Sequence, residues 1–184
     1  GVEGDINYYS PVKLMDGAEK VSVGDLSSAV KKCDGSAWVW GICNGELGES
    51  NSNTWWTAPV KIADEVQSIE VGHGYDAIIK QVGSLWMWGS NVHGELGIGD
   101  KEDRLGMIKI MDEVMSVNLG WYHTSVIKDD GSLWTWGFNE KGQLGDGSTL
   151  DRDYPIKIME NVKKASMGRN VGIALNEDGK VFAW

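Results

Sequence analysis

The 184-residue chain has two cysteines, three prolines and two phenylalanines, and nowhere a run of about 18 apolar residues. Cys33 and Cys43 are too few for a disulfide framework, and a zinc site needs four convergent Cys or His ligands, so neither frame is expected. Without a long apolar run, membrane insertion is not expected. The opening GVEGDINYYS lacks the charged and apolar regions of a signal peptide. Cations are also short, 17 Lys and Arg against 27 Asp and Glu, for a formal net charge of −10. The carboxylates are spread along the chain and leave no basic stripe to follow a phosphate backbone, which disfavours nucleic acid as a partner. These features fit a soluble chain, either bacterial and cytoplasmic, or secreted or cell-surface as part of a larger chain.

Catalytic patterns are equally scarce. His73, His93 and His123 stand in different parts of the chain without a metal-ligand spacing such as H-E-x-x-H, and there is no G-x-S-x-G elbow or P-loop. Pairs of acidic residues are plentiful, but in surface loops such pairs are ordinarily solvated. No enzymatic activity and no cofactor are expected.

What is abundant is glycine, at 25, and tryptophan, at ten. Both recur with one period. Asp34-Gly35, Val82-Gly83, Asp130-Gly131 and Asp178-Gly179 are each 48 residues apart, and Gly24, Gly72, Gly120 and Gly168 keep the same spacing. Pro11, Pro59 and Pro155 do too, with Met107 in the remaining copy. Within a unit, short apolar runs alternate with turn residues and no helical period is sustained, which predicts about four strands per repeat. This is the pattern of an all-β chain, a β-propeller of about four blades, either a whole ring or part of a larger one. Units 34–81, 82–129 and 130–177 follow, with 1–33 and 178–184 expected to complement each other into one blade of a single domain, 1–184.

The Asp-Gly step closes a hairpin. Because Val82 takes the Asp position once, the expected turn is one in which only the glycine is left-handed. Trp38, Trp86 and Trp134, and two residues on Trp40, Trp88, Trp136 and Trp184, share one strand face. At about 150–250 Å² per ring they read as cement between blades.

The pattern D-G-x-[LV]-[WF]-x-W-G, then G-[EQ]-L-G (Gly45–Gly48, Gly94–Gly97, Gly142–Gly145), then P-[VI]-K-[IL], resembles the repeats of the regulator of chromosome condensation. The resemblance covers nearly the whole chain and includes a G-x-x-H-T loop at Gly120–Thr124. It implies a propeller, seven-bladed in most members, used for protein recognition. Members include a GTPase exchange factor, a β-lactamase inhibitor and a plant ultraviolet sensor. The sensor's loop tryptophans recur, whereas here that loop carries only Trp121, and the basic extensions of the exchange factors are absent.

In a repeat array, positions that differ between units can carry specificity without damage to the core. The loop after each 48-spaced glycine brings Asp25, His73, Tyr75, Trp121, Tyr122, His123, Arg169 and Asn170 toward one rim, rich in the residue types that anchor protein interfaces. A second segment carries Asp103-Arg104 and Asp151-Arg152 in two units, but Asn7-Tyr8 and Trp55-Trp56 in the others. Trp55 and Trp56 are candidate contacts, or fill space beside a loop one residue shorter. The expected function is a non-catalytic protein-binding scaffold, with self-association completing a ring as one option. The alternatives are regulation of another enzyme, as a GTPase exchange factor or an inhibitor, and a structural module of a larger surface protein.

Overall fold

A computed structural model of the chain describes residues 10–43 and 54–184. Among them are fifteen strands and no helix, in four antiparallel sheets of consecutive strands. The first holds β1 (Ala18–Val23), β2 (Ser27–Lys32), β3 (Ala37–Cys43) and β4 (Thr54–Ala63). The second holds β5 (Val66–Val71), β6 (Tyr75–Lys80), β7 (Leu85–Gly89) and β8 (Arg104–Met111). β9 (Val114–Leu119), β10 (His123–Lys128), β11 (Leu133–Gly137) and β12 (Arg152–Met159) make the third; β13 (Val162–Met167), β14 (Gly172–Asn176) and β15 (Val181–Ala183) the last. β1 and β2 pack on β5, β5 and β6 on β9, and β9 and β10 on β13, which places β1, β5, β9 and β13 innermost. This is the all-β propeller architecture that the repeat predicts.

The sheets do not begin where the units read from the sequence begin. The Asp-Gly turn that marks the period joins the second and third strands of a sheet, so 34–81 covers β3 and β4 of one blade and β5 and β6 of the next. Nor do 1–33 and 178–184 share a sheet among the described residues: β2 pairs with β1 and β3, and β15 pairs with β14. Residues 11–14, which copy the Pro59–Ile62 start of the strand core in β4, lie outside any strand. The Gly45–Gly48 copy and Asn7-Tyr8 lie outside the described residues.

The turn expectation holds. Gly35, Gly83, Gly131 and Gly179 have φ between 76° and 82°, and Val82 is not among the residues with positive φ. Asp34 and Asp130 add a carboxylate that accepts from the backbone N–H of Ser36 and Ser132. Unforeseen are left-handed Glu65, Glu113 and Asn161 in the turns between blades.

Each apolar cluster lies between two sheets. Ala29, Ala37 and Val39 meet Val66, Ile69, Ile78 and Trp88, while Tyr75, Leu85, Met87 and Leu96 meet Val117, Val126 and Trp136. The two tryptophan positions are unequal. Trp88 and Trp136 are fully buried, whereas Trp86 and Trp134 are half-buried and hydrogen-bonded to Ser84 and Ser132 two residues earlier. The second position reaches into the preceding blade. Trp136 Nε1 donates to Glu95 O at 2.6 Å, and Trp184 Nε1 to Gln143 O at 2.8 Å. That is what G-[EQ]-L-G is for in this fold: a Cβ on Gly97 would stand 2.7 Å from Trp136 Nε1.

Candidate functional site

Strand direction alternates within a sheet, so the β1–β2 type loops and the long β3–β4 type loops emerge at the same end. The non-repeating residues of both loop sets therefore share one surface. There, Asp25, His73, Trp121 and Arg169, with the glycine before three of them and Gly72 before His73, line a cleft of ≈ 310 Å³.

The cleft is held by ring contacts. The Arg169 guanidinium lies over the Trp121 ring, 3.4 Å from its centroid, and the His73 ring approaches the same indole at 4.9 Å. His73 Nδ1 in turn contacts the Asp25 carboxylate. Tyr122 continues the row, 5.4 Å from Trp121 and 5.1 Å from His73. It also meets His93 at 4.9 Å, and His93 meets Phe138 at 4.7 Å. The result is one strip of rings, each half-buried, running from Phe138 to the Arg169 stack. Such a strip offers flat apolar faces with polar edges, which suits contact with a protein surface.

Of the residues read from the sequence, Asp25, His73, Trp121, Tyr122 and Arg169 come together here, and Asn170 is exposed beside Arg169. Two do not. Tyr75 and His123 are 0% exposed and cannot touch a partner, because the first residue of β6 and of β10 points between blades. Tyr75 Oη donates to Gly120 O and His123 O of the next blade, at 3.1 and 2.7 Å, and burial pushes its hydroxyl pKa up. His123 packs under Gly120, where a Cβ would lie 2.3 Å from its Cε1. Burial lowers its pKa to about 4, and neither ring nitrogen has a hydrogen-bond partner among the described residues.

Trp56 is half-buried against the apolar cluster of the first two sheets, and the side chain of Trp55 lies outside the described residues. In the other two units the segment braces the long loop. Asp103 and Asp151 accept from the backbone N–H of Asn91 and Asn139, while Arg104 and Arg152 pair with Asp100 and Asp146. His93 and Phe138 are additions to the site. The signal for Phe138 was present, since the position after W-x-W-G reads Ile42, Ser90 and Phe138. His93 gave none, because only the packing of two blades brings its loop to Tyr122.

Comparison with known proteins agrees with the architecture. Residues 82–127 and 130–175, together half of the chain, match the regulator of chromosome condensation (RCC1) repeat, and a second profile of that repeat matches 114–143. No curated protein sequence matches significantly. In shape the chain is similar to human WBSCR16, with a TM-score of 0.81 and 20% identity over 100% of this chain and 52% of that one. It is also similar to yeast RCC1 (Prp20), solved bound to Kap60, with a TM-score of 0.74 and 22% identity over 91% of this chain and 43% of that one. A further structure, of Prp20p from Saccharomyces cerevisiae, reported with its binding to Gsp1p and histones, has a TM-score of 0.73 and 22% identity, covering 89% and 43%. The chain spans about half the length of these proteins.

Proposed function

The chain belongs to the regulator of chromosome condensation (RCC1) repeat family, and from that premise we propose that it is a non-catalytic scaffold that recognises a protein partner through the strip from Phe138 to Arg169. The observation that carries this reading is the Arg169–Trp121–His73 stack at the cleft. These side chains differ from unit to unit, so the blade framework does not require them, yet they are packed against one another at the open end of the fold. A preorganised aromatic patch loses little side-chain entropy on binding. The protein partners of yeast Prp20 support protein recognition as the kind of function, with no partner carried over to this chain.

The test is a Trp121→Ala, Tyr122→Ala double variant. Chemical cross-linking from native extract should lose specific bands relative to the unmodified chain, while the urea midpoint stays within what about 1 kcal/mol would shift. Unchanged cross-links, or a large fall in stability, would show the strip to be structural.

A second surface supports a further reading. Val21 and Val23 are 71% and 77% exposed, although their repeat equivalents Ile69 and Val71 are buried. At the other end Ile173 and Val181 are exposed where Ala77 and Leu85 are buried. These are the faces that pack together inside the chain. We infer that they take another blade of the same repeat, from the same polypeptide or from a second copy that completes a ring. Light scattering of residues 1–184 should show association that Val21→Asp with Val181→Asp abolishes. A monomer at high concentration sinks the second-copy form of this reading and leaves the covering blade to come from the same polypeptide.

A further inference from the structure

The partner's chemistry at the cleft can be narrowed, and the narrowing rests on the proposed recognition strip. The chain has three arginines. Arg104 pairs with Asp100 at 2.6 Å and Arg152 with Asp146 at 2.7 Å. Arg169 pairs with no carboxylate among the described residues, in a chain where Asp and Glu outnumber Lys and Arg by 27 to 17. The acidic residue that shares its cleft, Asp25, is tied to His73.

What holds Arg169 instead is the Trp121 ring. A guanidinium stacked on an indole satisfies its face through cation–π attraction and leaves its edge donors in plane. Those donors match a carboxylate, which accepts two parallel N–H bonds, and stacking has already removed rotamer freedom that binding would otherwise cost. His73 on the same indole and Tyr122 beside it restrict how the ring can move.

We propose that the Trp121–Arg169 stack is a receptor for a partner carboxylate, an Asp or Glu side chain seated at the cleft mouth with its apolar neighbours on Tyr122, His93 and Phe138. A phosphate would also suit a guanidinium. Its second negative charge, however, meets Asp25 and a chain of net charge −10, which favours the singly charged group.

The experiment uses a random peptide library displayed on phage, selected on the immobilised chain. Clones lost on Tyr122→Ala and on Phe138→Ala define peptides that use the strip. These are expected to share an Asp or Glu whose change to Asn or Gln weakens binding about tenfold or more. Arg169→Met should weaken the acidic peptide to the same degree while leaving the amide peptide unchanged, the signature of direct coupling. Arg169→Lys should recover only part of the loss, because charge returns without the fork. Circular dichroism should show an unchanged thermal midpoint for both.

Strip-dependent peptides without an acidic residue, or equal losses for acid and amide peptides on Arg169→Met, overturn the carboxylate receptor and leave the recognition strip standing. A phosphoserine peptide that binds more tightly than its Glu counterpart also overturns it. Absence of any strip-dependent peptide overturns both.

Discussion

Trp136→Ala is expected to destabilise the chain by about 3–5 kcal/mol, seen as a lower urea midpoint. Trp136 is fully buried between the second and third sheets, in contact with the cluster of Tyr75, Met87 and Leu96. Its Nε1 shares the Glu95 carbonyl with Thr124 Oγ1, so the same oxygen ties both β10 and β11 to the preceding blade. Glycine at 97 allows the loop to lie on the indole. Trp134→Ala is the control. Trp134 is half-buried and its hydrogen bond is to Ser132 of its own turn, so its loss should cost about 1–2 kcal/mol, within the ordinary range for a partly exposed residue. Equal losses at the two positions would contradict the assignment of the second tryptophan as the inter-blade lock.

Acidification should weaken the fold through His123. Its pKa falls from the ordinary 6.5 to about 4 because burial penalises the imidazolium, and no partner in the described residues compensates. For a base with a depressed folded value, both states are neutral above pH 6.5. Below it the unfolded chain takes up a proton that the folded chain refuses, so stability is lost as pH falls from about 6.5 to about 4. The full loss is about 3 kcal/mol. Urea midpoints should decline across this window in the unmodified chain. Carboxylates contribute to any acid transition, so the diagnostic comparison is His123→Tyr, the residue that the preceding unit carries as Tyr75. That variant should be markedly less pH-dependent between 6.5 and 4. The same slope in both chains would place the titration elsewhere.

The repeat is legible in the amino-acid sequence because its signals are local. Strand propensity, turn chemistry and glycine at left-handed φ are properties of a few adjacent residues, and they recur every 48 positions. The turn at Val82 could be derived from the steric cost of positive φ at a β-branched residue, and Gly83 alone carries it. The blade boundaries could not. A period has no natural starting point, and only hydrogen bonding shows that sheets begin at Ala18, Val66, Val114 and Val162.

The site divides along the same line. That Trp121, Arg169 and His73 vary between units is written in the sequence, and so is their common end of the fold. Whether a residue at that end faces outward depends on a single position along a strand. Tyr75 and His123 open β6 and β10 and turn between blades, while His73 and Tyr122, two and one residues earlier, stay at the cleft. The meeting of His93 with Tyr122 and Phe138 joins loops from separate blades, and only the angle at which sheets pack decides it. By itself, then, the sequence determined the repeating framework, because that framework is built from local conformational preference. The tertiary structure decided which non-repeating side chains face the cleft and which are mortar, because burial depends on neighbours contributed by other blades.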